Sequence, residues 1–249
     1  MSESVLITIL TDFGNSEYVG IMKGVIYGIT PQAHVVDLYN NVNPQNIREG
    51  AWILLQSYRF FPKNTIFLCV VDPGVGSGRR AISIKTQHYF FVGPDNGLMY
   101  PTIFDDQICA TVLLSEEGSS RTFHGRDVFA KAAAKLEQGT LIEQLGDVIT
   151  KPTTELLFQL DLNKRIGEIV RIDVFGNIIT NIPHIGKRCY KVTLKTSTLQ
   201  LHVYESYIVA PDYELFLIEG SSNTLEISVK NGSAVNQFDL QVGDPIQII

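Results

Sequence analysis

Val5-Leu6-Ile7-Thr8-Ile9-Leu10, then Thr11-Asp12-Phe13-Gly14-Asn15, then Ser16 and a helical stretch from Tyr18 to Ile29: the fold is decided here. A short, nearly continuous apolar run suits a strand buried on both faces, since alternation is needed only where one face meets water. The polar stop ends that strand, and Ser16 offers an N-cap to the helix that follows. Gly20, Gly24 and Gly28 fall on one face of this helix. Their four-residue spacing matches a membrane packing motif, but the segment is too short and carries Lys23. Close packing of the helix on a sheet is expected instead.

The same alternation continues outward. His34–Leu38 reads as a strand, and Pro44 through Phe60 as a long amphipathic helix started by Pro44 near its first turn. Thr65–Val71 is a further buried strand that runs into a glycine-rich loop, Asp72 to Gly78. Ala81–Lys85 and Tyr89–Val92 are short strands, Pro94-Asp95-Asn96-Gly97 is a turn, and Arg126 to about Glu137 is a helix stopped by Gly139. Strands alternating with helices predict an α/β domain with a mostly parallel sheet covered on both sides. Beyond about residue 155 helical periodicity ceases. Ile166–Asp173, Ile178–Ile182, Tyr190–Lys195, Leu199–Tyr204, Leu215–Ile218, Leu225–Val229 and Ile246–Ile249 are strand-like runs separated by turn residues, as in a small β-barrel or sandwich. Two domains are therefore expected, at 1–155 and 165–249.

A chain of 249 residues can bury a substantial core. With 20 basic against 26 acidic residues it lacks the charge footprint of a nucleic-acid binder. Cys69, Cys109 and Cys189 are far apart and read as buried apolar thiols in a reducing compartment. The stretch MSESVLITIL has no basic n-region, and its apolar run is too short for a signal peptide or a membrane span, so a cytoplasmic protein without membrane contact is expected.

Some motifs mislead. Asp12-Phe13-Gly14 spells the metal-binding triplet of kinases, yet no glycine loop precedes it and no His-Arg-Asp loop occurs. Gly74-Val75-Gly76-Ser77-Gly78-Arg79 has Arg where a dinucleotide loop has Gly, and lacks the Gly-Lys-Ser/Thr ending of a P-loop. HExxH and CxxC are absent, so neither a metal nor another cofactor is expected.

In an open α/β sheet, ligands bind beyond the carboxyl ends of the strands. Asp12 ends the first strand and Asp72 the third, either as turn residues or as functional carboxylates. The glycine-rich loop after Asp72 allows close backbone approach and delivers Arg79 and Arg80 beside that carboxylate. His124 lies in Phe123-His124-Gly125-Arg126-Asp127 directly before a helix, where Arg126 and Asp127 suit an ion pair at the helix start. In the second domain, Asp173-Val174-Phe175-Gly176-Asn177 reads either as a glycine turn or as a nucleobase site. In the latter, Phe175 would stack and Asn177 would offer its amide to an adenine edge. Gly220-Ser221-Ser222-Asn223 is likewise a hairpin turn or a carboxylate-holding loop.

Taken in order along the chain, these segments resemble the S-adenosylmethionine hydroxide adenosyltransferases, relatives of the bacterial fluorinase and chlorinase. The motifs that carry it are Thr11-Asp12-Phe13-Gly14, Val70-Val71-Asp72-Pro73-Gly74-Val75-Gly76 with Arg79-Arg80, and Gly93-Pro94-Asp95-Asn96-Gly97. Phe123-His124-Gly125-Arg126-Asp127, Asp173-Val174-Phe175-Gly176-Asn177 and Gly220-Ser221-Ser222 complete the set. The resemblance implies an N-terminal α/β domain, a smaller C-terminal β-barrel, and a homotrimer with active sites between neighbouring subunits. It implies hydrolysis of S-adenosyl-L-methionine to adenosine and L-methionine by attack of water or hydroxide at the ribose C5′. On this pattern Asp72, Arg79 and His124 surround the attacking oxygen, and Arg80 competes with Arg79 for that place. Asp12 would bind the ribose hydroxyls, Asp173 the methionine ammonium, Asn177 the adenine with Phe175 packed beside it, and Ser221 the methionine carboxylate.

The halogenating branch of the resemblance lacks the Asp-Arg-His combination, and the fluorinase carries an extra loop for which there is no room between Gly97 and Phe123. Water is therefore expected over halide. The alternatives are a halide-dependent lyase of S-adenosylmethionine, a non-catalytic sensor of it or of adenosine, and a hydrolase of another nucleoside.

Overall fold

Strand β1 (Leu6–Thr11) is buried from Ile7 onward, because both of its faces are covered. A computed structural model describes residues 5–195 and 197–249, so the first four residues of the N-terminal stretch and of the first expected domain lie outside the described residues. The contacts divide the chain into two units, the first ending at Leu156 and the second running Leu157–Ile249.

In the first unit β1 is followed by α1 (Glu17–Ile29), β2 (His34–Tyr39), α2 (Ile47–Ser57), β3 (Ile66–Val70), β4 (Ala81–Thr86) and β5 (Phe90–Pro94). Then come α3 (Tyr100–Asp105), β6 (Ile108–Leu114), α4 (Ala130–Glu137) and β7 (Gly146–Ile149). The strands form one sheet in the order β2-β1-β3-β5-β4-β6-β7. β2, β1, β3 and β5 are parallel, and from β4 onward the pairing is antiparallel. The link from β4 to β5 is only Gln87 to Tyr89, which permits a hairpin but not a crossover. Ile7, Ile9, Ile66, Leu68 and Val70 point to one face, against Met22 and Ile26 of α1 and Ala130 and Ala133 of α4. On the other face Phe67 stacks on Phe91 at 5.1 Å and meets Phe61 and Tyr89 edge-on. Deleting a ring such as Phe67, which is fully buried, costs about 3–5 kcal/mol.

Several local expectations need correction. The buried stripe of α1 is Val19, Met22 and Ile26. Gly20, Gly24 and Gly28 therefore lie on the outward face, where an added β-carbon would meet nothing within 4 Å. They do not serve packing on the sheet. Ser16 occupies the N-cap with extended backbone, but its hydroxyl is buried without a partner and makes no capping bond. Helix α2 begins at Ile47, beyond Pro44, because Gln45 adopts a left-handed φ of 64°. Asn46 is the cap, accepting from Glu49 N at 3.0 Å. Of the cysteines only Cys69 is buried; Cys109 is exposed at the start of β6 and Cys189 is half-buried.

The second unit contains β8 (Ile166–Ile172), β9 (Ile178–Pro183), β10 (Cys189–Leu194), β11 (Ser197–His202), β12 (Leu215–Glu219), β13 (Thr224–Val229) and β14 (Pro245–Ile248). All pair antiparallel in the order β11-β10-β14-β8-β9-β13-β12. A bridge between Val203 and Leu217, with Tyr204 N donating to Leu217 O at 2.9 Å, joins the two ends and nearly closes a barrel. Inward residues such as Ile169, Ile178, Val192, Leu217, Ile227 and Ile246 fill it. The N-terminal α/β sheet and the C-terminal barrel are the fold class that the sequence pattern predicts.

Candidate active site

Thr11 pairs with Val70 across β1 and β3, so the chain leaves two adjacent strand ends at Asp12 and Asp72. Around Asp12 the loops are tied together: Thr11 Oγ1 donates to Asn40 Oδ1 at 3.0 Å, and Gly14 N donates to Asn40 O at 2.7 Å. One Asp12 oxygen, Oδ2, accepts from Gln45 N at 2.8 Å.

Asp72 lies in a buried cluster. Arg79 Nε donates to its two oxygens at 3.0 and 3.1 Å, and Arg79 Nη2 to Oδ2 at 2.6 Å. The Asp72 and Arg79 side chains are 5% and 9% exposed. Arg79 Nη1 reaches Glu116 Oε1 at 2.8 Å, and Nη2 lies 2.7 Å from His124 Nδ1. The guanidinium also sits over the Phe129 ring, 5.4 Å from its centroid.

A guanidinium can only donate, so His124 Nδ1 is an acceptor and the ring proton is on Nε2. Nε2 faces Ser119 Oγ at 3.4 Å, and that hydroxyl donates to Glu116 O at 2.6 Å, leaving a lone pair for the ring N–H. His124 thus holds one tautomer and carries no charge in this arrangement.

Backbone geometry fixes the cluster. Gly76 has φ +73°, and a β-carbon there would run into the Arg121 carbonyl oxygen, so only glycine lets the Asp72–Gly78 loop pack on that segment. Asn96 Nδ2 donates to Val71 O at 2.8 Å, holding the residue before Asp72 from the Pro94–Gly97 turn. Gly125–Phe129 is a π-helical turn ahead of α4, a widened turn of the kind frequent at functional sites. Arg80 points elsewhere. Its Nε and Nη2 donate to Asp95 Oδ2 at 2.8 and 2.5 Å. Asp95 is buried, which works to raise its pKa, but donors from Thr153, Arg80 and Thr154 outweigh this and lower it. Of the two arginines, Arg79 is the one that joins Asp72 and His124.

Arg126 and Asp127 form the expected ion pair, at 2.7 Å. The hydrogen bond from Arg126, with Ser120 N adding to it, holds the Asp127 carboxyl down at about 2. Phe13, Tyr18 and Phe123 meet edge-on at 5.0 to 6.0 Å, forming an aromatic wall between the neighbours of Asp12 and His124. The sequence pattern singled out neither this wall nor Glu116. Among the described residues there is no group of three or more His, Cys, Asp or Glu side chains placed to hold a metal ion.

In the second unit, Asp173–Asn177 is a tight turn built around one carboxylate. Asp173 Oδ1 accepts from Phe175 N and Asn177 N, each at 2.9 Å, and Oδ2 accepts from Asn177 Nδ2 at 2.9 Å. The turn holds Phe175 out at 74% exposure. A cleft of about 390 Å³ contains Asp173, Phe175, Asn177 and Tyr207. A second, of about 440 Å³, contains Asp173, Phe175 and Ser221, and also Arg171 and Glu226, which the sequence pattern did not single out. The structure thus brings Asp173, Phe175, Asn177 and Ser221 together around two adjoining clefts.

The chain matches the family models of the SAM hydroxide adenosyltransferase N-terminal domain over residues 7–146 and C-terminal domain over residues 167–247. It is similar to the (R)-S-adenosyl-L-methionine hydrolase of Thermus thermophilus, at 32% identity over 96% of this chain and 98% of that one. A fluorinase of Nocardia brasiliensis is more distant, at 25% identity over 71% of each chain. Among solved structures, a conserved protein from Thermotoga maritima superposes with a TM-score of 0.91 at 33% identity, covering 98% of this chain and all of that one.

Proposed function

The chain belongs to the SAM hydroxide adenosyltransferase family and hydrolyses S-adenosyl-L-methionine, and from that premise we propose that Asp72, Arg79 and His124 hold and activate the attacking water. The observation that carries this reading is the buried Asp72–Arg79–His124 cluster at the carboxyl end of a parallel strand. Binding alone would not require it.

The water oxygen bonds to the ribose C5′ as the C5′–S bond breaks in line, and its electron pair converts the sulfonium to the neutral thioether of methionine. The leaving group needs no proton. The difficulty lies in the nucleophile, because bulk water has a pKa near 15.7. Of the two Asp72 oxygens, Oδ1 receives a single Arg79 contact, at 3.0 Å, and so retains lone pairs to take the water proton. Arg79, clamped by Asp72 and Glu116, then faces the developing hydroxide as a fixed charge. His124 keeps the guanidinium in place through its Nδ1 lone pair. The proton leaves to solvent after release of adenosine and methionine.

Asp12 takes the ribose hydroxyls, its free edge lying opposite the Gln45 bond. Phe175 stacks on adenine, and Asn177, whose Nδ2 is held by Asp173, presents Oδ1 to the adenine amino group. Ser221, exposed beside Gly220, takes the methionine carboxylate, and Asp173 draws the ammonium. No metal or other cofactor enters. On the family pattern the assembly is a homotrimer, in which Asp12 and the Asp72 cluster of one chain meet the Phe175 turn of a neighbour. The protein works in the cytoplasm without nucleic-acid or membrane partners; among the described residues no helix is long and apolar enough to cross a membrane.

Incubation with S-adenosylmethionine in oxygen-18 water, with a chelator and with or without chloride, tests the reaction. Label appears in adenosine, and methionine stays unlabelled. A 5′-chloro nucleoside that depends on chloride would identify a lyase instead, and binding without turnover a sensor.

A further inference from the structure

Strand β13 runs between β12 and β9, and Glu226 stands opposite Ile218 on one side and Ile179 on the other. Its neighbours Leu225 and Ile227 point into the barrel core, so the alternation of the strand puts Glu226 on the opposite face, in the cleft of about 440 Å³. The carboxylate presses against Gly220: a β-carbon at that position would collide with Glu226 Oε1. Glycine next to Ser221 leaves the room that this side chain occupies.

Asp173, the other acid of the cleft, already receives three donors from its own turn. Glu226 differs. Among the described residues its carboxylate has neither a hydrogen-bond donor nor an ion-pair partner. A half-buried carboxylate left without donors carries part of a desolvation cost, which a cation with N–H groups would relieve.

We propose that Glu226 is a specificity-determining carboxylate, which binds the α-ammonium of the substrate's methionyl group alongside Asp173. The inference rests on the reading that this cleft receives S-adenosylmethionine. It moves the main ammonium contact from Asp173, whose oxygens are engaged, to the acid that is not.

The charges facing Glu226 define how such a contact depends on pH. Asp173 and Arg171 come from β8 and its turn, Glu219 from β12, and Tyr207 from the segment between β11 and β12; β9 contributes only Ile179. Burial first and Asp173 second push the Glu226 carboxyl up to about 7, with Arg171 opposing them. An arriving ammonium favours the ionised form, so binding releases a proton below neutrality. Affinity rises with pH up to about 7 and is flat above it.

The test uses S-adenosylhomocysteine, which keeps the ammonium but lacks the sulfonium. Titrated calorimetrically from pH 5.5 to 7.0, the wild-type chain should tighten about 15-fold, whereas Glu226→Gln should change less than twofold. An analogue lacking the α-amino group should bind the two proteins equally. Superimposable pH profiles for the two proteins would overturn the assignment, even with tight binding. If Glu226→Gln does not fold, proton release by the wild type at pH 6, from titrations in two buffers of different ionisation enthalpy, decides the matter. About 0.9 proton per site supports the proposal, and none refutes it. Failure of the wild type to bind the probe and to hydrolyse S-adenosylmethionine would strike at the functional reading itself.

Discussion

Replacing Asp72 by Asn keeps the shape of the side chain and removes its charge, which separates chemistry from binding. The magnitude follows from the cluster. Arg79, 9% exposed, loses three contacts to a carboxylate that is 5% exposed, and the new amide NH₂ confronts a guanidinium that is itself all donor. Breaking a buried pair from one side costs about 3–5 kcal/mol. Glu116 still holds Nη1 at 2.8 Å, so the lower end of that range applies. With a total stability of about 5–15 kcal/mol, the variant remains folded. Loss of the proton acceptor lowers turnover by about 10²–10⁴-fold, which corresponds to about 2.7–5.4 kcal/mol in the barrier.

Affinity should change less than threefold, because Asp72 is held by Arg79 and, on the proposed mechanism, contacts the attacking water rather than the substrate. Single-turnover formation of adenosine, calorimetric titration with S-adenosylhomocysteine and a denaturant midpoint report the three quantities separately. Asp12→Asn is the control with the opposite signature, losing affinity through the ribose. Turnover of Asp72→Asn within threefold of wild type would refute the role of Asp72 as proton acceptor. Affinity and turnover falling by the same factor would mean that Asp72 binds rather than reacts.

On the proposed homotrimer, Asp72→Ala and Asn177→Ala chains, each inactive alone, should regain partial activity when co-expressed, since such a ring would unite an intact first unit with a neighbour's intact second unit. Absence of complementation in mass-verified mixed trimers would place each site within one chain. Acid should destabilise the fold through Asp95, whose folded-state pKa is lowered: its contribution is complete above about pH 4, near the unfolded value, and is lost as pH falls through the folded one. Denaturant midpoints between pH 4.5 and 2.5 should fall less steeply in Asp95→Asn than in wild type, and equal slopes would contradict this.

Much of this architecture is legible because burial on two faces leaves a mark in composition. The runs at β1 and β3 and the seven short strands of the second unit all announce themselves. α3 does not, being six residues with a proline near its start, too short for a period to appear. β7 has four residues and no buried one. In the site, Asp72, Arg79 and His124 are visible through their motifs, but Glu116 is not. It stands in Ser115-Glu116-Glu117-Gly118, which reads as a solvated turn, and gains its role only by meeting Arg79 across 37 positions of the chain. Glu226 is hidden for a related reason. Alternation marks it as an outward residue of a strand, and only the fold shows that this outward face lines a cleft. The choice between Arg79 and Arg80 is of the same kind: adjacent side chains of an extended segment point opposite ways, and Asp95 takes the second.

The two groups of site residues differ in how far they are finished without substrate, and that difference is in keeping with the roles proposed for them. The Asp72–Arg79–His124 cluster is buried, mutually hydrogen-bonded and fixed in one tautomer, so little reorganisation remains when charge develops on the attacking oxygen. Such preorganisation is where rate comes from. Phe175 is the opposite case: a ring 74% exposed, held outward by a turn that sends three donors to the Asp173 carboxylate. Leaving an aromatic face in water forfeits burial energy, and stacking on a base returns about 1–3 kcal/mol. Glu226 likewise has no hydrogen-bond donor among the described residues. On the proposed roles, binding free energy comes from the second unit together with Asp12 of the first, while the Asp72 cluster is a reaction centre that is already assembled. Substitutions in the Phe175 turn should act on affinity, and those around Arg79 on turnover.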